Sequence, residues 1–245
     1  MFSHLLLQYL LYMNPEIGLH PNLITKNCYI FNSESRIRPC NRVLHNSLPT
    51  NLEICEVKSF FGDIPFTWVV NSTDIETQKI LEKNNLEYKA SFPGMLINLA
   101  NIYVTNYDKN IKVEIIDLSD SQLTEWLNII SQTFNVQKSE LLKVINLFKK
   151  KVINNSLKLY LGFYNEKSVA AGMVLQHKDV ISLHWICTVA EFRNKGLGSA
   201  LTEKMLLDAK NIGCKQAILL SSTLGKRIYE RLGFKEYGLY KIYGN

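Results

Sequence analysis

The chain is 245 residues long, 47% hydrophobic and 20% charged, with a formal net charge of +6. That apolar share excludes a disordered chain and suits one large domain or two small ones, each able to bury a core. Five cysteines (Cys28, Cys40, Cys55, Cys187, Cys214) are odd in number and form no C-x-x-C pair, which argues against a disulfide framework or a zinc site and for a reducing, cytoplasmic setting.

No run reaches the roughly 18 apolar residues of a membrane span. The apolar stretch 1–13 is interrupted by His4 and Gln8 and has neither a basic start nor a small-residue cleavage site. It reads as an amphipathic helix ending before Pro15, not as a signal peptide. Residues 66–70 form a continuous apolar run, a buried strand by type. Ser72, Thr73 and Asp74 offer N-caps for a helix through Lys83, and 86–99 returns as strand. The polar stretch Asn106-Tyr107-Asp108-Lys109-Asn110 is the candidate linker, dividing the chain into domains 1–108 and 111–245.

After it, 112–117 reads as a strand and 120–134 and 138–153 as helices. A meander of strands at 157–164, 168–176 and 180–189 follows, with turn signals at Asn165-Glu166-Lys167 and His177-Lys178-Asp179. A helix from about Gly198 to Asn211, a strand at 216–220, a helix at 223–232 and a final strand complete the chain, with Gly213 and Gly233 as C-caps. Mixed β and α in this order argues an α/β or α+β fold with helices on both sheet faces. One internal echo appears: 66–88 and 214–236 share a strand, capped helix, αL-tolerant residue and strand, with Asn85 and Gly233 at the matching helix ends.

Charge is unevenly spread. The first 110 residues carry nine Lys/Arg against ten Asp/Glu, and the rest carry 19 against 12. An anionic partner is one reading of that excess and a solvated lysine-rich surface is the other. No aromatic-basic signature or helix-turn-helix pattern accompanies it, so neither a nucleic acid nor a membrane is expected as partner.

The informative stretch is Val189-Ala190-Glu191-Phe192-Arg193-Asn194-Lys195-Gly196-Leu197-Gly198-Ser199-Ala200, joining a strand to a helix N-terminus. Gly196 and Gly198 let the turn tighten so that several backbone N–H groups face one point. The helix adds its positive dipole end, Ser199 a hydroxyl, and Arg193 and Lys195 charge. Together they make a pyrophosphate cradle. A nucleotide P-loop and a dinucleotide fingerprint both fail on residues, since there is no G-x-x-x-x-G-K-[ST] run and Leu201 stands in place of a third glycine.

What fits is R-x-x-G-x-G-[SA] followed by Y-x-x-L-G-F. Over about 112–245 the chain resembles the GNAT superfamily of N-acetyltransferases. Val189, Arg193, Gly196, Gly198 and Ser199 match its acyl-CoA motif, and Tyr229, Leu232, Gly233 and Phe234 its second signature. Ser222 stands where the family often has Asn. The first half is similar, more loosely, to the N-terminal lobe of two-domain members: a smaller, diverged GNAT-like lobe with no glycine-rich turn and with Leu81 in the place of Tyr229.

The resemblance implies a mixed, mainly antiparallel sheet flanked by helices, and acetyl-CoA as acyl donor with no metal. The thioester would lie between the strand ending at Val189 and the strand after Cys214. The backbone of Cys187, Thr188 and Val189 would bind pantetheine, Arg193, Asn194, Lys195, Gly196, Leu197, Gly198 and Ser199 would surround the phosphates, and Ser222 and Tyr229 would complete the cofactor-binding set. Tyr229 is the expected proton donor to the leaving thiolate. No carboxylate sits in 182–188, so His184, placed by strand alternation on the face of Ser182 and Thr188, is the candidate base. Cys187 receives no nucleophilic role. The acceptor is an amine on a small molecule or peptide, and a homodimer stays open. The competing reading is a CoA-binding sensor or interaction module without turnover.

Overall fold

The computed structural model describes residues 22–23, 25–117, 121–151 and 156–245. The expected helix at 1–13 and the outermost residues of the helices expected at 120–134 and 138–153 lie outside them. In chain order the strands are β1 (Asn22–Leu23), β2 (Cys28–Phe31), β3 (Arg42–His45), β4 (Thr67–Asn71), β5 (Glu87–Asn98), β6 (Ile111–Ile116), β7 (Leu157–Tyr164), β8 (Lys167–His177), β9 (Val180–Thr188), β10 (Gln216–Leu220) and β11 (Lys235–Gly244). The helices are α1 (Asn51–Phe61), α2 (Ile75–Lys83), α3 (Gln122–Phe134), α4 (Lys138–Lys151), α5 (Leu197–Asn211) and α6 (Thr223–Arg231).

Two compact units result. One comprises Met1–Gly94, Glu140–Ile153 and Tyr237–Asn245, the other Met95–Ser139 and Asn154–Glu236. Compactness thus divides the chain inside β5 and β11 and on either side of 140–153, at different places from the polar stretch 106–110. The C-terminal segment joins the first unit because β11 pairs antiparallel with β4, Tyr240 opposite Asn71 through Gly244 opposite Thr67.

In the first unit the strand order is β1-β2-β3-β4-β11, with β3 and β4 parallel. Its core is built on Trp68, Phe61, Phe66, Ile54 and Tyr243, with Phe61 and Phe66 stacked at 4.6 Å. Helix α1 opens on a capping box: Thr50 Oγ1 accepts from Glu53 N–H, and Glu53 Oε2 accepts from Thr50 N–H. Asp74 caps α2 by accepting from Thr77 N–H at 3.0 Å.

In the second unit the order is β5-β10-β9-β8-β7-β6. Strands β6 to β9 form an antiparallel meander, and β9 meets β10 in parallel. The β7–β8 turn carries positive φ at Asn165 (47°) and Glu166 (62°), as a two-residue hairpin requires. Helices cover both faces. A Cβ on Gly172 would meet Met205 and Leu201 of α5, while on the alternate face Trp185 meets Phe134 of α3.

The internal echo reappears as matching local geometry. Helix α2 closes with Leu86 N–H donating to Leu81 O and Asn85 at φ 58°. Helix α6 closes with Phe234 N–H donating to Tyr229 O and Gly233 at φ 96°, both bonds being 3.0 Å. Each is a left-handed residue ending a nine-residue helix.

Candidate active site

Strand β9 pairs with β10 over only three positions, Val180, Ile181 and Ser182 opposite Gln216, Ala217 and Ile218. Both strands run on, β9 to Thr188 and β10 to Leu220, so the edge of β9 that faced β10 is no longer paired with it. On the other edge the ladder skips: Met173 faces His184, yet Ala171 faces Cys187. Trp185 and Ile186 therefore stand against Gly172 in a β-bulge. Trp185 carries the extra residue's strain at φ 57°, a conformation rare for a bulky side chain. Two contacts hold it. The carbonyl of Gly172 accepts from Trp126 Nε1–H at 3.0 Å, and the Trp185 ring meets Phe134 edge-on at 5.2 Å.

The bulge corrects one expectation. His184 and Thr188 do not share a face. The inserted residue puts Cys187, opposite Ala171, on the side of His184, and Thr188, opposite Ala170, on the side of α5. Strand alternation holds only as far as Ser182, whose Oγ lies 2.6 Å from His184 Nε2.

Past β9 the chain makes a single 3-10 turn, Ala190–Phe192, and then enters the glycine stretch with Asn194 at φ 63° and Gly196 at φ 88°. Gly196 is the N-cap of α5 and no side chain caps the helix. The first helical bond runs from Ala200 N–H to Gly196 O at 2.9 Å. The amides of residues 196–199 donate to no acceptor among the described residues. A helix N-terminus leaves such amides unsatisfied; α1, α2 and α6 cover one with a Thr, Asp or Ser side chain, and α5 does not. The turn is anchored by Leu197, only 1% exposed, and lined outside by exposed Arg193, Asn194 and Lys195. Arg193 Nε donates to Thr188 O at 3.2 Å, and Lys195 Nζ lies 5.1 Å from the Tyr164 ring centre. Ser199 is half-buried. A Cβ on Gly198 would lie 3.5 Å from Ile228 Cδ1 and 3.8 Å from Thr188 Oγ1, ordinary contacts. The first residues of α5, the end of β9 and α6 thus meet at one place.

Tyr229 sits on α6 with 8% of its surface exposed. Its ring lies against Gly225, one turn earlier, and meets Phe234 edge-on at 5.6 Å. Burial pushes its phenol above the ordinary value, and the neighbouring Cys187 adds to that. Burial likewise pushes the Cys187 thiol up to about 11, outweighing the polar neighbours that act the other way. A thiol so held stays protonated and is a poor nucleophile. Ser222 caps α6, its Oγ accepting from Gly225 N–H at 3.1 Å, and is exposed.

Three contributors went unnoticed in the sequence: Trp126, Gly225 and the Trp185–Phe134 pair. Glycine one turn before a tyrosine in an otherwise well-formed helix was a legible signal; a tryptophan in a strand was not. Among the described residues no group of three or more His, Cys, Asp or Glu is arranged to hold a metal ion, and no helix is long and apolar enough to cross a membrane.

Residues 156–236 match the model of the acetyltransferase (GNAT) domain. No curated protein sequence matches the chain significantly. Among solved structures it is similar to a GCN5-related N-acetyltransferase from Kribbella flavida, with TM-score 0.67 and 13% identity over 89% of this chain and 86% of that one. A second is a functionally unknown conserved protein from Staphylococcus epidermidis ATCC 12228, with TM-score 0.67 and 9% identity over 94% of each chain. A third, a GCN5-related N-acetyltransferase from Sphaerobacter thermophilus, has TM-score 0.66 and 11% identity over 89% of this chain and 76% of that one. At such identities the likeness is one of fold.

Proposed function

We propose that this chain, whose residues 156–236 match the GNAT acetyltransferase domain model, is an acyltransferase that moves an acetyl group from acetyl-CoA to a primary amine by direct attack, with Tyr229 as general acid. The observation that carries this reading is the uncapped start of α5. Four amides without acceptors among the described residues, on residues 196–199, stand beside the edge of β9 that β10 has left. A diphosphate supplies acceptor oxygens and negative charge, which a helix N-terminus binds through its amides and dipole. Arg193, Asn194, Lys195 and Ser199 would add charge and hydrogen bonds from the rim. The protein itself leaves room for a Cβ at Gly198, so bare backbone there serves the close approach of a ligand. No residue of the site calls for a metal, since amides and cations suffice to neutralise a diphosphate.

Along β9 the unpaired backbone at Cys187, Thr188 and Val189 would take the pantetheine amides as a strand takes a partner. An N–H in this stretch would stabilise the oxyanion of the tetrahedral intermediate. The amine nitrogen adds to the acetyl carbon as the carbonyl pair moves to oxygen, and the carbon–sulfur bond breaks as that intermediate collapses. Tyr229 gives its proton to the departing sulfur and recovers one, through water, from the nitrogen. Burial keeps the phenol protonated until a thiolate, itself drawn out of water, accepts the proton. His184, paired with Ser182, is the candidate to take the first proton, from the ammonium before attack, so that the amine reaches the thioester neutral.

The first lobe is proposed to bind no CoA. Its equivalent helix start, at α1, is already covered by the lobe's own carboxylate: Glu53 accepts from the N–H groups of Thr50 and Asn27. The test of the whole reading is release of free thiol from acetyl-CoA over a panel of amines. CoA binding with no thiol released by any amine class would replace the enzyme with a CoA-binding module.

A further inference from the structure

The segment that the sequence offered as a linker is tied down. Tyr107 OH donates to Glu203 Oε2 at 2.8 Å, and Thr105 N–H donates to both oxygens of the same carboxylate at 3.1 Å. Glu203 lies in the second turn of α5 and is 4% exposed, so these donors satisfy a charge withdrawn from water. The Tyr107 ring reaches the other way. A Cβ on Gly196 would lie 3.6 Å from Tyr107 Cδ1 and 3.8 Å from Ile111 Cδ1. One side chain therefore borders, with its ring, the space beside the N-cap of α5 and grips the body of the same helix with its hydroxyl.

We propose that Tyr107 is a positioning residue for the anion-binding turn, holding Gly196 in the left-handed conformation that aims the amides of 196–199 at one point. This deepens the donor reading above and rests on it. Glycine permits φ 88° but does not enforce it, because it occupies positive and negative φ about equally. Enforcement needs a neighbour, and Tyr107 with Ile111 bounds the space on the side of Gly196 where a side chain would stand. Burial and the Glu203 carboxylate push the Tyr107 phenol up to about 12, which keeps it a donor throughout the neutral range. Arg231 at the end of α6 acts on the same phenol in the opposite sense, so the charged groups that face it are the carboxylate and this guanidinium.

The test is calorimetry of the full chain with two probes, CoA and ADP, the latter a diphosphate without pantetheine. Tyr107→Phe keeps the ring and loses the hydrogen bond; Tyr107→Ala loses both. CoA affinity should fall in the order wild type, Phe, Ala, by about tenfold at Ala, which corresponds to one well-made contact. The affinity for ADP should fall by the same factor, because the whole effect lies at the diphosphate. A general loosening of the fold would instead lower the CoA affinity more than that for ADP, and that result overturns the proposal. So does unchanged CoA affinity in Tyr107→Ala. If Tyr107→Ala does not fold, the Phe variant carries the same comparison with a smaller factor. A wild-type chain that binds no CoA would overturn the donor reading itself, an outcome distinct from either.

Discussion

A Cβ placed on Gly225 would lie 2.8 Å from Cε2 of Tyr229. Helix α6 omits a side chain one turn before its tyrosine, and the ring lies in the space left. Gly225→Ala should raise the helix's own stability, by about 1 kcal/mol on propensity alone, and at the same time displace the ring. The expected outcome is a folded variant with intact CoA affinity and a reduced kcat. Urea unfolding and steady-state kinetics on the same preparation check it, and full kcat in the Ala variant would free Tyr229 from any need for this position.

Gly198 answers a different question. The protein has room for a Cβ there, with Ile228 at 3.5 Å and Thr188 at 3.8 Å, so Gly198→Ala should fold and melt like the wild type. If the bare backbone serves a phosphate, CoA affinity should nonetheless drop about tenfold or more; a β-branched residue should do worse. Calorimetry decides, and unchanged affinity in either folded variant would move the phosphates elsewhere.

The bulge in β9 depends on Trp126. Its indole N–H satisfies the Gly172 carbonyl that the skipped ladder leaves over. Trp126→Phe keeps most of the apolar volume of a residue 1% exposed and strands that carbonyl. The expected loss is about 1–3 kcal/mol of stability. Because the bulge sets which way Cys187 and Thr188 face, kcat should fall further than the lost stability explains, measured at a temperature where the variant is fully folded.

Acid should strike the first unit through Glu53. Burial alone would raise its carboxyl; the hydrogen bonds from Thr50 and Asn27 outweigh that and hold it at about 2, against an ordinary 4.5. A carboxyl lowered in the folded state stabilises above its unfolded value, and that stability is lost as pH falls from about 4.5 towards 2. Glu53→Gln should flatten this part of the stability–pH curve while lowering stability at neutral pH. A variant curve parallel to the wild type's between these limits would remove Glu53 from the account.

The legible parts of the chain were those governed by neighbours in sequence. Strand 216–220 is legible to the residue, α2 from its cap at Asp74, and the matched helix ends at Asn85 and Gly233 from their tolerance of positive φ. The glycine turn was read as a cradle because amides at a helix start need no distant partner. What escaped depends on distant pairing. Strands of two to four residues, β1 to β3, show no periodicity of their own. The pairing of β11 with β4 joins the last residues to a strand near position 70, and no local pattern announces it. The skip between His184 and Cys187 arises from the register with β8, so alternation along β9 alone placed Thr188 on the wrong face.

The most direct test of acyl transfer with Tyr229 as the acid is kcat and CoA affinity measured together in Tyr229→Phe, once an accepting amine is known. The substitution removes one hydroxyl from a buried ring held between Gly225 and Phe234, so packing and CoA affinity should persist. Positioned acid catalysis contributes typically about 10²–10⁴-fold, and kcat should fall by that order. Wild-type turnover in a Tyr229→Phe chain that binds CoA normally would contradict the account and leave this tyrosine as a packing residue.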